Sequence, residues 1–326
     1  MKKLLKWGLL STAHINRALI PPLRASERNR LVAVASRDAR RAEAYAKQHA
    51  IPRSYGSYEA LLADPEIDVI YNPLPNHLHA EWSIRAAQAG KHVLCEKPLA
   101  LTVNEVDQMT EAAQQSGTIL AEAFMYRHHP QTLAVQEAVR DGEIGDIQLI
   151  RGSFSFTLQR PEDFRWTPEY GGGALWDVGC YPVSFTRMLV ESPPEEVFGW
   201  QITTPDGVDQ TFIGQLRFSG GVLAQFDCSF NLPRQTVMEI RGTKGILIVP
   251  APFKPDPEQK PYILKDNRKL QIEFKNPDLY LGEVEDLADA ILFGKPPRIS
   301  LSESRENIAT LKALLLSARE NRVVSP

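Results

Sequence analysis

Five short apolar runs, at 4–10, 31–35, 69–71, 92–95 and 119–121, alternate with stretches of helical periodicity at 15–20, 39–49, 58–62, 80–89 and 103–115. Strands that are apolar on both faces need cover on both, and the intervening helices supply it. The pattern therefore specifies a parallel sheet in a doubly wound domain. Asp38 and Thr102 stand where helix caps belong, the latter with Glu105 three residues on, as in a capping box. Pro21-Pro22, Gly90 and Gly117 fall where helices are expected to stop. Past about Arg127 the rhythm changes. One helix at 132–140 is followed by long alternating β segments at 147–156, 197–203, 211–218, 222–230 and 237–241, separated by glycine-rich turns. A proline-rich loop at 250–261 and helices at 284–293 and 305–320 complete the chain. The expected fold is α/β, with a nucleotide-binding doubly wound sheet over 1–125. An α+β domain built on a large, mostly antiparallel open sheet is expected over 126–326.

A formal net charge of −3 gives no field of one sign, so neither nucleic acid nor an anionic membrane is an expected partner. Lys6 interrupts the apolar run of the amino terminus, which reads as a first strand rather than a signal peptide. No other segment has the apolar length of a membrane span. The three cysteines, Cys95, Cys180 and Cys228, are widely spaced and form no Cys-x-x-Cys pair. Neither a disulfide framework nor a structural zinc site follows from that pattern, and a reducing cytoplasm is the expected compartment.

The first strand runs into Ser11, Thr12, Ala13, His14 and Ile15, where a dinucleotide fingerprint has glycines at the positions of Ser11 and Ala13. Both residues are small enough for a backbone to approach a pyrophosphate. The hydroxyls of Ser11 and Thr12 and the following helix start also suit an anion. An ordinary strand-to-helix turn is the alternative. At the end of the second strand, Ser36 occupies the place of a ribose-binding carboxylate, and Arg37 supplies a guanidinium suited to a 2′-phosphate. This favours NADP over NAD, with Asp38 as a rival ribose ligand.

The fourth strand leads into Pro75-Asn76-His77-Leu78-His79, a loop fixed at the sheet's carboxyl edge. The two histidines lack a carboxylate or cysteine cluster, so no metal is expected. A histidine here either faces the cofactor or satisfies a backbone carbonyl. The fifth strand ends in Glu96-Lys97-Pro98, which puts an ammonium where open α/β sheets hold their ligands. Much later, Gly171-Gly-Gly-Ala-Leu-Trp-Asp-Val-Gly-Cys-Tyr181 offers Asp177 and Tyr181 four residues apart, on one face if helical. Tyrosine ionises near pH 10 and needs a nearby positive charge to act as a base near neutrality. Lys97 supplies one. Tyr181 then takes the proton of a carbinol while Asp177 orients a substrate hydroxyl. A surface Lys97 paired with Glu96, and a core Tyr181, are the plainer alternatives.

Taken together these segments resemble the Gfo/Idh/MocA oxidoreductase family, over essentially the whole chain. Glu96-Lys97-Pro98 with Gly90-Lys-His-Val before it carries the likeness. Glu122-Ala-Phe-Met-Tyr-Arg127-His-His-Pro130 and the 171–181 segment are similar to one branch of that family. That branch contains NADP-dependent D-xylose 1-dehydrogenase, dimeric dihydrodiol dehydrogenase and glucose-fructose oxidoreductase. The resemblance implies a Rossmann domain and a catalytic pair of Lys97 and Tyr181. It also implies that Pro75, Asn76 and His79 contact the nicotinamide side, with Glu96 and Lys97 beside them, and that Arg127 and Arg165 bound the cleft. It further implies a carboxy-terminal sheet packed on a second subunit, hence at least a homodimer. A short amino-terminal lead fits a cytoplasmic enzyme. Phe124, Tyr126, Trp166 and Trp176 suit the wall of a pocket for a sugar or cyclic diol, and core packing accounts for some of them equally well. An NADP-sensing regulator without turnover is the alternative of another class.

Overall fold

The computed structural model describes residues 4–326, which divide into two compact units. The first holds the described chain up to His128 together with Asp278–Arg305, and the second holds His129–Pro277 and Glu306–Pro326. The change of rhythm near Arg127 suggested a single boundary. The return of the chain to the first unit leaves no such mark, because apolar periodicity shows that a helix face needs cover but not which core covers it.

In the first unit, strands β1 (Leu5–Leu9), β2 (Asn29–Ala35), β3 (Arg53–Tyr55), β4 (Val69–Asn72), β5 (His92–Glu96) and β6 (Leu120–Ala123) form one sheet. Helices α1 (Asn16–Ala25), α2 (Ala39–Gln48), α3 (Tyr58–Leu62), α4 (His79–Gln88) and α5 (Val103–Gln115) connect them. The strand order is β3-β2-β1-β4-β5-β6 and every pairing is parallel. The order reverses between β1 and β4, which opens a crevice at the strands' carboxyl ends. β3 escapes a sequence reading because it is three residues long and has no buried residue. Pro21 and Pro22 do not stop α1, which continues to Ala25. Burial of Leu19, Ile20, Pro22 and Leu23 holds the helix together despite the missing N–H donors. The cap of α2 by Asp38 and the Thr102–Glu105 capping box of α5 are both present.

The second unit contains α6 (Pro130–Arg140), β7 (Ile147–Ser155), α7 (Cys180–Val190), β8 (Glu196–Thr203), β9 (Asp209–Arg217), β10 (Leu223–Ser229), β11 (Gln235–Gly242), β12 (Ile246–Val249), β13 (Tyr262–Lys265) and β14 (Arg268–Gln271). Its eight strands lie in the order β14-β13-β12-β11-β7-β10-β9-β8, antiparallel except for the parallel pair β7 and β10. Short strands such as β14, exposed at all four positions, give no alternation to read. The chain ends with α8 (Leu281–Phe293) and α9 (Leu301–Glu320). Val284, Leu287 and Ala288 of α8 are buried in one cluster with Leu5, Trp7, Leu19 and Leu23. Arg28 clasps the same helix through Glu285 and Asp289. No helix among the described residues is long and apolar enough to cross a membrane.

Candidate active site

The carboxyl edge of the parallel sheet gathers the loops that follow β1, β2, β4 and β5. After β1, Ser11 Oγ accepts from the Ala13 N–H at 3.1 Å. Asn16, fully buried, donates from Nδ2 to the Ser11 carbonyl at 2.7 Å. A side-chain hydrogen bond thus ties down the turn that glycines shape in the usual fingerprint. Thr12, Ala13 and Ile15 are half-buried and His14 is exposed. No side chain caps α1 and no acidic residue stands in its first turn, so the helix start suits an anion.

After β2, the Asp38 carboxylate accepts from the Arg40 and Arg41 N–H groups and is committed to capping α2. Both bonds go to Oδ1. Ser36 is buried and Arg37 is exposed, hydrogen-bonded to the Tyr58 hydroxyl. After β4, Pro75 and Asn76 lie half-buried at the start of a 3₁₀ turn, Asn76–Leu78.

The turn after β5 is held from three sides. Glu96 Oε1 accepts from the Tyr71 hydroxyl at 2.5 Å. The ring of His79, fully buried, lies with Nδ1 2.8 Å from the Pro98 carbonyl and Nε2 2.7 Å from the Leu74 carbonyl. Two carbonyls favour an imidazolium, but burial dominates and lowers its pKa to about 4. Near neutrality the ring carries one N–H proton and donates to one of the two carbonyls. Glu122 of β6 accepts from the Leu99 N–H at 2.9 Å. Lys97 therefore projects from a half-buried turn whose neighbours on both sides are fixed. The geometry puts His79 in the role of a staple, with both ring nitrogens facing backbone carbonyls. The resemblance had placed it against the nicotinamide, because sequence shows a histidine at a helix start but not its burial.

In the second unit, Asp177 lies in a π-helical turn, Leu175–Gly179, which runs directly into α7. Single turns of this kind recur at functional sites. Pro182 falls three residues past the π turn, in the first turn of α7. Arg165 donates from Nε to Asp177 Oδ2 at 2.7 Å and also pairs with Asp163. Tyr181 is 6% exposed, and its ring packs against the stacked pair Phe154 and Phe253, with centroids 5.3 and 5.2 Å away. Trp166 is half-buried against Phe230, whereas Trp176 is buried. In the first unit Phe124 and Tyr126 are buried edge to face, and Arg127 pairs with Glu303 at 2.6 Å. Trp176, Phe124 and Tyr126 are buried within their units, as Tyr181 is.

The structure thus assembles the proposed nucleotide residues and Lys97 on one sheet edge, and Asp177, Tyr181 and Arg165 around one turn. Sequence reasoning missed Tyr71, Glu122 and Glu283. Glu122 was visible only as part of a family motif, and Tyr71 only as a strand residue. Glu283, on α8, is 1% exposed with no hydrogen-bond partner at either carboxyl oxygen. Burial, with Glu96 and Asp278 adding to it, pushes its pKa well up. No group of three potential ligands for a metal occurs among the described residues.

An uncapped helix start suited to an anion and a lysine on a fixed turn, at the edge of one parallel sheet, are the equipment of a nicotinamide-dependent oxidoreductase. Comparison with known proteins agrees. Residues 5–124 match the model for an oxidoreductase family with an NAD-binding Rossmann fold, and 132–248 match the GFO/IDH/MocA C-terminal domain. The chain belongs to the Gfo/Idh/MocA oxidoreductase family. It is 39% identical over 323 residues to a D-xylose 1-dehydrogenase (NADP(+)) of Haloferax volcanii, with 98% of each chain covered. To a trans-1,2-dihydrobenzene-1,2-diol dehydrogenase of Danio rerio it is 37% identical, over 76% of this chain and 75% of the other. Among solved structures, a 3-ketoreductase from Actinomadura kijaniata in complex with NADP and TDP-benzene superposes with a TM-score of 0.90. That match has 29% identity and covers 97% of this chain and 98% of the other. The same reductase has been crystallised with a lysine changed to alanine and, separately, a tyrosine changed to phenylalanine, at positions 84 residues apart. Lys97 and Tyr181 have that same separation.

Burial raises the Glu122 pKa to about 7, from an ordinary 4.5. Its ionisation in the folded protein is therefore resisted, and stability falls as pH rises from 4.5 through 7. At about 1.4 kcal/mol per unit the cost reaches about 3 kcal/mol above that window. Glu122→Gln keeps an acceptor for the Leu99 N–H and removes the charge. Thermal melts should show the variant matching the wild type at pH 5 and exceeding it at pH 8. An equal difference at both values would show that Glu122 titrates as an ordinary carboxyl.

Proposed function

We propose that this protein is an NADP-dependent dehydrogenase that oxidises an aldose of the D-xylose type at C1, with Lys97 and Tyr181 as its catalytic pair. The observation that carries the reading is the Lys97 turn, held by His79 and Glu122 at the edge where the family binds its dinucleotide. The shared 84-residue separation from lysine to tyrosine supports the choice of partner. A relative named for D-xylose and NADP supports the substrate and the cofactor.

The nucleotide residues fit a coenzyme with a 2′-phosphate. Ser36, not a carboxylate, stands directly after β2, the Asp38 carboxylate caps α2, and Arg37 is exposed to meet the phosphate. The uncapped start of α1 suits the pyrophosphate. When bound, the oxidised nicotinamide accepts the hydride that leaves the carbinol carbon. The Tyr181 phenolate takes the carbinol's hydroxyl proton, and in the reverse direction the phenol returns it. The Lys97 ammonium lowers the phenol's pKa by its charge. Arg165 fixes the carboxylate of Asp177, which accepts a hydrogen bond from a second substrate hydroxyl.

Reduction of NADP, followed at 340 nm, should appear with pentoses in a panel that also holds hexoses, keto-sugars and trans-dihydrodiols. Lys97→Met and Tyr181→Phe should each lower kcat by about a thousandfold while NADP still binds. Turnover at the wild-type rate in either variant would remove that residue from the proton path. A panel on which NADP binds and nothing is oxidised would favour the sensing role. Arg37→Ala should weaken NADP about tenfold and leave NAD nearly unchanged. Equal losses for both would place the 2′-phosphate elsewhere.

A homodimer through the second unit's sheet is part of the same proposal. Trp200, Ile202, Ile213 and Leu223 are 51%, 61%, 46% and 49% exposed on one face of β8, β9 and β10. Apolar area of that kind marks an interface. Light scattering should give twice the chain mass, and a monomer at micromolar concentration would refute it. All three cysteines are buried as thiols, in keeping with a cytoplasmic location.

A further inference from the structure

The glycine run ahead of Asp177 is gripped between two elements. On one side, the Gly172 N–H donates to the Thr167 carbonyl and the Gly173 N–H to the Arg165 carbonyl, each at 3.0 Å. A side chain at Gly172 would stand 2.5 Å from the Arg165 carbonyl oxygen. On the other side lies Asp209, the first residue of β9 and 4% exposed. Its Oδ2 accepts from the Leu175 N–H at 2.6 Å, and its carboxylate also accepts from the Ala174 N–H. A Cβ at Gly173 would fall 2.0 Å from Asp209 Oδ1, and Gly173 has φ +124°, so only glycine leaves room for this contact.

Asp209 thus does from a strand what an N-cap side chain does from within the helix. Ala174 precedes the π turn and supplies no cap of its own. The N–H groups at the head of a helix need an acceptor, and a carboxylate there also opposes the positive end of the helix dipole. Downstream, the Asp177 N–H donates to the Gly173 carbonyl at 3.1 Å, and Arg165 holds the Asp177 carboxylate. The backbone that Asp209 pins therefore sets where Asp177 points and, one turn on, where α7 begins with Tyr181 as its second residue.

We infer that Asp209 is a positioning residue for the substrate side of the reaction, acting through the Gly173–Leu175 turn on Asp177 and Tyr181. The inference rests on the reading of those two residues given above. Burial pushes the Asp209 carboxyl up to about 7 against the pull of its N–H donors. Asparagine, neutral at every pH and still carrying a carbonyl acceptor, is therefore the conservative replacement. Leucine is the disruptive one.

The test uses the full chain with Asp209→Asn, Asp209→Leu and Gly173→Ala. Gly173→Ala pushes the carboxylate off the turn from the opposite side, and it answers the question if Asp209→Leu fails to fold. Three quantities are read: amide hydrogen exchange over residues 173–181, the dissociation constant for NADP, and kcat and KM for the pentose that the wild type oxidises. Asp209→Leu and Gly173→Ala should raise exchange at the Leu175 amide and lower kcat, each by about tenfold or more. Both should bind NADP within about twofold of the wild type, because the nucleotide residues lie on the other unit. Asp209→Asn should stay within about threefold of the wild type throughout. Wild-type kcat and protection in Asp209→Leu or in Gly173→Ala would overturn the inference. So would a loss in Asp209→Asn equal to that in Asp209→Leu, which would assign the effect to the charge itself. If the wild type oxidises nothing, the proposed activity fails, and the exchange measurement alone decides whether Asp209 holds the turn.

Discussion

One buried imidazole carries much of the first unit's arrangement. His79 sits between the carbonyls of Leu74 and Pro98, and so couples the loop after β4 to the turn after β5. A neutral ring can donate only once, so one carbonyl is bound and the other merely faced. The ring is held in place less by hydrogen-bond strength than by the absence of anywhere else to go. Glu122 completes the clamp from β6. Lys97 consequently starts from a backbone whose position is set by three consecutive strands. A flexible four-carbon side chain becomes a dependable point charge only on such a base.

The second unit solves the same problem differently. Its reactive segment is a short helical start in which glycines let neighbouring backbone and one carboxylate close in. Strands and helices give rigidity to residues within them, but a side chain at the head of a helix is only as fixed as its first turn. Arg165 contributes twice there, by its carbonyl to Gly173 and by its guanidinium to Asp177. Electrostatics and backbone geometry are thus satisfied by the same residue.

Much of this was legible from the chain alone. The parallel sheet showed itself in apolar runs between helical stretches, and Asp38 and the Thr102 box announced themselves as caps. What stayed hidden shares a cause. Whether His79 is exposed, whether Asp209 reaches Gly173, and whether Glu283 lies buried are facts about neighbours distant in sequence, and local pattern carries no trace of them. The burial of Trp176 is hidden for the same reason. The proline pair in α1 erred for a related reason, since packing of Leu19 and Leu23 outweighs two lost donors.

The path of the chain through its two units bears on how either piece behaves when cut free. The nucleotide-binding body is closed by a helix encoded more than 150 residues after its last strand, with Val284, Leu287 and Ala288 filling its core. A fragment ending at β6 would bare the apolar groove that α8 occupies and would be prone to self-association. An autonomous version has to graft residues 278–305 back by a designed linker. In genetic terms the two units interleave, with junctions after His128, Pro277 and Arg305, so recombination between relatives would exchange the second cleanly only when all three move together.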